Sequence, residues 1–223
     1  VKHFYDLITS GSVIAAVVAA AGAEPVYVQF QGEHTGRAVA VSLSGGLTFA
    51  DGSASQTLWA GERSMLVDGR LIRGYSAGLT GTSGDGWYDE VPVSDGASVE
   101  KVRAISALFA GRAESSDNSD EAATLQAMLW EIVYDFDGSD RSIDMAGGDV
   151  SFGLIDGALF DAMKRAALGI DWTDRKTSVT MLSSDKHNGQ LIMVPLPSGA
   201  GLAGLGLLGF ASWRRRWASS LAS

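Results

Sequence analysis

Ala122-Ala123-Thr124-Leu125-Gln126-Ala127-Met128-Leu129-Trp130-Glu131-Ile132-Val133-Tyr134-Asp135 is the stretch on which the fold turns. Leu125, Met128, Leu129, Ile132 and Val133 fall at i, i+3, i+4, i+7 and i+8, which makes one apolar stripe along an α-helix. Asp120 and Glu121 stand just before it, where carboxylates favour the positive end of the helix dipole. Working back, Glu114–Asp120 reads as a polar loop. Before that loop, Val99, Val102, Ile105, Leu108 and Phe109 repeat at helical spacing, with Ser98 or Asp95 as caps and Gly111 as the stop. Working forward, a weaker helix runs near Gly157–Leu168 and closes at Gly169. Trp130 belongs to the core or its edge.

Outside the helices the pattern changes to strands. Val26–Phe30, Ala38–Leu43, Leu47–Phe49 and Gln56–Trp59 are short apolar runs broken by glycine and polar residues. Ser64–Val67 and Leu71–Tyr75 flank Asp68-Gly69, the signature of a type I′ hairpin turn. The N-terminal half therefore predicts an antiparallel meander. Thr177–Leu182 and Gln190–Val194 read as closing strands. No stretch repeats, and strands do not alternate with helices as in a parallel sheet. The expected class is α+β: an antiparallel β-rich N-terminal half, sandwich or barrel-like, with two to three packed helices.

The chain has 223 residues, no cysteine and a net charge of −9. Without cysteine there is no disulfide, no thiolate catalysis and no cysteine-held zinc or iron–sulfur centre. Lys2 and Asp6 cancel within the first 23 residues, and the tail from Pro195 holds Arg214, Arg215 and Arg216 and no acid. The body between is thus more acidic than the chain as a whole. Such a body repels nucleic acid and anionic lipid and attracts divalent cations. No nucleic-acid partner and no cofactor are expected.

The two ends read as transport devices. Lys2 and His3 precede the apolar stretch Val13–Ala21, which ends in Ala21-Gly22-Ala23, an A-x-A site for signal peptidase; residues 1–23 form the expected secretion signal. At the other end, Val194-Pro195-Leu196-Pro197 opens a Gly-, Ala- and Leu-rich run from Ser198 to Trp213, closed by Arg214-Arg215-Arg216. An apolar run of about 16 to 18 residues is at the short edge of a membrane-spanning helix. The arginines would hold its end on the cytoplasmic side.

Val194 to Arg216 resembles the VPLPA-type C-terminal sorting signals, relatives of the PEP-CTERM signals processed by exosortases in Gram-negative bacteria. All three parts are present, with Ser198 replacing the usual Ala after the motif. The resemblance implies that 195–223 is a transient membrane anchor cut near the proline motif by an exosortase-type enzyme. The body would then reach the cell surface or the exopolysaccharide matrix. The body at 24–194 has its own resemblance. Ala122 to Asp135 looks like the characteristic helix of thioester-domain-like proteins, and Gly189-Gln190-Leu191-Ile192 resembles a strand found in them. In that family a strand Cys condenses with a helix Gln to form a thioester that an amine on the target attacks. Gln126 matches the Gln, and Ser76, after Tyr75, stands where the Cys is expected. A hydroxyl is a poorer nucleophile than a thiolate, so the resemblance implies the family's fold without its covalent chemistry. Gln126 is then expected to hydrogen-bond across the strand–helix contact, as a buried amide must. The expectation is a structural or adhesive protein with no catalytic residues.

Two other chemistries compete. Gly74-Tyr75-Ser76-Ala77-Gly78 matches the hydrolase pattern G-x-S-x-G, which needs a strand before the serine and a helix after it. Asp156 or Asp171 and His187 would complete a Ser–acid–His order for an esterase. However, Leu79-Thr80-Gly81-Thr82-Ser83-Gly84 is a poor helix start. Asp135-Phe136-Asp137-Gly138-Ser139-Asp140 spaces carboxylates as calcium loops do, but lacks the closing Glu. Asp117, Asn118 and Asp120 form a second polar cluster. Solvated turns are the simpler reading of both, and no metal is expected. His3, His34 and His187 are too scattered for a metal site. Trp87 and Tyr88, in the Gly-rich Asp85–Asp89 loop, are read as folding back onto the sheet; exposed rings there would instead suit stacking on sugars.

Overall fold

The computed structural model describes residues 25–79, 83–92, 97–110, 118–169, 177–184, 187 and 189–195. The expected secretion signal with Ala21 and Ala23 lies outside these residues. So do Leu196, Pro197 and the Arg214–Arg216 cluster of the tail, and Asp117 and Asp171. Among the described residues no helix is long and apolar enough to cross a membrane.

The class is α+β, and of the two expected arrangements the β-rich part takes the barrel-like one. Strands β1 (Val26–Leu43), β2 (Ser55–Val67), β3 (Arg70–Ser76) and β4 (Gly86–Pro92) come first. Helices α1 (Val99–Ala110) and α2 (Ser119–Tyr134) follow, then β5 (Val150–Gly153), α3 (Gly157–Gly169), β6 (Thr177–Ser183) and β7 (Gln190–Pro195). The pairing runs β2-β3-β7-β6-β4-β1 and returns from β1 to β2, so the circuit closes. β5 extends it by pairing with the far end of β1, Ala40 to Leu43. The meander expected for β1, β2 and β3 is present. Asp68 and Gly69 have φ of 49° and 77°, the left-handed pair that a type I′ turn requires.

Three expectations about strands need correction. The segment Gln31–Arg37, polar enough to read as a loop, is the middle of β1. It is strand because β2 pairs with it throughout, with Thr35 opposite Glu62 and Gly36 opposite Gly61. Register shifts between Phe30 and Gly32 and between Glu33 and Thr35 bend the ribbon there. The backbones nearly touch at the glycine pair: a Cβ on Gly61, whose φ is +150°, would lie 2.3 Å from the Thr35 carbonyl oxygen. Leu47–Phe49 is not a strand but links two turns, closed by Leu47 N–H donating to the Ser44 carbonyl and Gly52 N–H to the Phe49 carbonyl, with the Phe49 side chain buried. Asp85–Asp89, read as a loop, contributes most of β4, which bridges β1 and β6.

The bend divides the core. One half of the β1–β2 ribbon closes the barrel around Val26, Val28, Met65, Val67, Tyr88 and Leu182. The other half, with Val39, Val41, Leu43 and Ala60, lies under the helices in the larger cluster. α2 is the centre of that cluster, since Ala122 through Tyr134 are all buried. The apolar stripe read from its sequence is one side. Ala122, Ala123 and Ala127 are small enough to bury the others. Asn118 caps the helix by accepting from the Asp120 and Glu121 backbone N–H groups. Trp130 is core and stacks on Phe152, with ring centroids 6.0 Å apart.

Candidate functional site

Ser76 ends β3 and is opposite Gln190 of β7. Gln126 projects from α2 and is 1% exposed. The structure brings the two together through the Ser76 backbone. Ser76 N–H donates to Gln126 Oε1 at 3.0 Å, and Gln126 Nε2 donates to the Ser76 carbonyl at 2.7 Å. The side-chain amide thus acts as a neighbouring strand would, and both of its polar atoms are satisfied at a point where water is excluded.

The Ser76 hydroxyl takes no part in this clasp. It donates to the Gly78 carbonyl at 2.9 Å. A serine nucleophile needs a base to take its proton, and a peptide carbonyl is not one. α2 grips the same segment a second time at i+8, where the Tyr134 hydroxyl accepts from Leu79 N–H at 2.9 Å. On the other side Ala77 N–H donates to the Gly189 carbonyl at 2.8 Å. Tyr75 packs its ring against Phe109 at 5.8 Å. Tyr134→Phe removes one of these anchors and leaves a buried N–H unsatisfied. The expected cost is about 1–3 kcal/mol, read as a lower urea midpoint with an unchanged slope.

Beyond Gln126, α2 carries Glu131, a buried carboxylate that the sequence pattern did not single out, with Asp135 at its end. Glu131 is wholly buried, and its Oε2 accepts from Asp144 N–H at 3.3 Å. Its Oε1 has no hydrogen-bond partner among the described residues. Burial, reinforced by the neighbouring Asp135 and Asp144 carboxylates, pushes the Glu131 carboxyl up to about 9, against the opposing pull of the Asp144 N–H and, more weakly, of Lys164. It is a neutral acid at neutral pH. Asp135, at the helix end, accepts from Asp149 N–H at 2.8 Å and Val150 N–H at 3.0 Å. Burial raises its carboxyl too, and the Asp149 carboxylate adds to this, while those two N–H groups and Lys101 oppose it. Lys101 donates to the Val133 carbonyl at 2.7 Å. Burial lowers its ammonium, with Asp135 and Asp137 acting the other way. The signal for Glu131 was available: a lone carboxylate beside the apolar stripe of a helix that is buried all round.

The competing chemistries find their residues in other roles. Ala77, Gly78 and Leu79 are not helical, and residues 80–82 lie outside the description. Asp156 caps α3, accepting from Ala158 and Leu159 N–H. His187 stacks on Tyr88, with centroids 5.9 Å apart. In the candidate calcium loop, Asp137 accepts from Ser139 N–H as a turn residue and Asp135 fastens β5. Among the described residues no group of three His, Cys, Asp or Glu is placed to hold a metal ion. Tyr88 is buried inside the barrel, as a ring folded onto the sheet should be; Trp87, beside it, is exposed.

No protein-family model matches the chain, and no curated protein matches it. Among solved structures, the chain is similar to the N-terminal domain of the pilus tip adhesin Cpa of Streptococcus pyogenes, with 13% identity and a TM-score of 0.40, over 80% of this chain and 97% of that one.

Proposed function

We propose that the chain is an exported surface or matrix protein with a structural or adhesive role, in which Gln126 and Ser76 form a non-covalent clasp at the position where thioester-domain-like proteins form a covalent one. The observation that carries this is the clasp itself. The helix Gln meets the strand position as the resemblance requires, and both amide atoms are engaged by backbone, with no thiol present to condense with it. The Ser76 proton goes to a carbonyl, which favours a non-catalytic body over an esterase. The termini supply the route in this reading. Signal peptidase removes residues 1–23. The tail holds the chain in the inner membrane until an exosortase-type enzyme cuts it, and the body passes to the cell surface or the exopolysaccharide of a Gram-negative bacterium.

Val194 and Pro195 of the proline motif belong to β7, paired with Ser178 and Thr177 of β6. A cut that leaves the barrel whole therefore falls beyond Pro195. The test is fractionation of an internally tagged chain, full length and ending at Pro195, in a bacterium that sorts proteins with such tails. The full chain should pass from the membrane fraction to the surface or medium as a shortened product, and the truncated one should be released directly. Recovery of both, unshortened, from the cytosol would overturn the proposal.

A further inference from the structure

The outer wall of the barrel carries an exposed aromatic pair. Tyr27 of β1 and Trp87 of β4 are register partners. Their rings meet edge to face, with centroids 5.3 Å apart and planes at 66°. Tyr27 is 38% exposed and Trp87 64%, whereas their chain neighbours Val26, Val28 and Tyr88 point inward and are buried. A tryptophan this open to solvent forgoes most of the burial that usually holds such a ring in place.

Three exposed carboxylates lie along the same strands and their turns. Asp68 accepts from Tyr27 N–H at 3.3 Å on the β2 side of β1, and Asp85 accepts from Phe30 N–H at 2.8 Å on the β4 side. Asp89 follows Trp87 by two residues on β4 and so lies on the same face. The matching outward positions of β1 are Gln29 and Gln31, which are uncharged. Arg63 is engaged by Ser83, and burial lowers its guanidinium against the pull of Glu33. Arg70 and Arg73 lie on β3, with β2 between them and this pair.

We propose that Trp87 and Tyr27 form a stacking platform for a pyranose ring of an amine-bearing polysaccharide, with Asp68, Asp85 and Asp89 receiving its ammonium and hydroxyl groups. The ring's C–H face covers the indole, and an ammonium nearby gains from both the carboxylates and the aromatic faces. The three carboxylates set the sign of the partner, and an acidic polysaccharide is repelled. A basic peptide also satisfies the carboxylates and can lay a guanidinium on a ring, but it presents no pyranose C–H face to cover the indole, which places it second. The inference deepens the adhesive reading by naming what is adhered to, and rests on it for where the partner is met.

The test is calorimetric titration of the purified full chain with a β-1,4-linked glucosamine oligomer, so that failure of export and failure of binding are seen separately. Binding should weaken as salt is raised. Trp87→Ala should weaken it at least about tenfold, while Trp87→Phe, which keeps a flat ring, should retain most of it. Asp89→Asn should lower both affinity and salt dependence. The proposal fails if the oligomer does not bind at millimolar concentration, or if Trp87→Ala binds as the native chain does. It also fails if a galacturonate oligomer binds as tightly, or if oligolysine binds as tightly with the same dependence on Trp87.

Discussion

Gln126→Leu is expected to lower the free energy of unfolding by about 2–5 kcal/mol. The substitution removes one amide but orphans two buried groups, the N–H and the carbonyl of Ser76. Each orphaned group costs about 1–3 kcal/mol, and the extra apolar contact of leucine offsets only part of this. For a domain of this size the melting temperature falls by roughly 2–4 °C per kcal/mol. Thermal and urea unfolding of the two proteins measure the effect. Ser76→Ala should cost much less, because the clasp runs through the Ser76 backbone and only the bond to Gly78 is lost. Gln126→Glu adds a check on the geometry. Its carboxylate can accept from Ser76 N–H but faces the Ser76 carbonyl, so this variant should recover stability when acid protonates it. A Gln126→Leu protein as stable as the native one would mean that the clasp does not hold α2 to β3.

Glu131→Gln should change how stability depends on pH. The native Glu131 carboxyl sits at about 9 against an ordinary value of 4.5, with burial as the first cause. The folded chain therefore keeps a proton that the unfolded chain gives up between those values. The resulting stability is fully present below the lower value and is lost as pH rises through the upper one. The slope for one proton is about 1.4 kcal/mol per pH unit. Glutamine resembles the protonated acid and does not titrate. Between about pH 5 and about pH 8, the variant should gain on the native protein by up to about 4 kcal/mol. The raised Asp135 carboxyl acts in the same direction, but it remains in both proteins and drops out of the difference. Urea midpoints of the pair across that range provide the reading. A difference that stays flat with pH would mean that Glu131 is ionised in the fold and supported by Lys164.

Local chemistry made much of this architecture legible. The stripe from Leu125 to Val133 marked α2, Asp68-Gly69 marked the β2–β3 turn, and Thr177–Leu182 and Gln190–Val194 marked the last two strands. What was not legible depends on pairing between distant residues. Gln31–Arg37 is polar and glycine-containing, and only the presence of β2 alongside makes it strand. β4 was hidden in Asp85–Asp89 because its two aromatics face opposite ways: Tyr88 into the barrel and Trp87 out of it. Closure through β3 and β7 leaves no local mark at all. At the site, Gln126 and Ser76 came from resemblance, and the geometry adds that the Gln126 side chain meets the Ser76 backbone. The Tyr134 anchor and the Glu131–Asp135 cluster follow from how deeply α2 is buried, which a one-sided stripe understates.

The position of β7 has a consequence for the order of events when the chain is made. This strand is the last of the circuit in sequence, yet it lies between β3 and β6. Growing chains emerge amino end first, so the gap beside β3 stays open until residues 190–195 are available. Until then β3 presents an unpaired edge, able to zip onto any extended peptide it meets. Acquisition of the native state is tied to the appearance of the final strand, and a nascent chain stalled before it would be sticky.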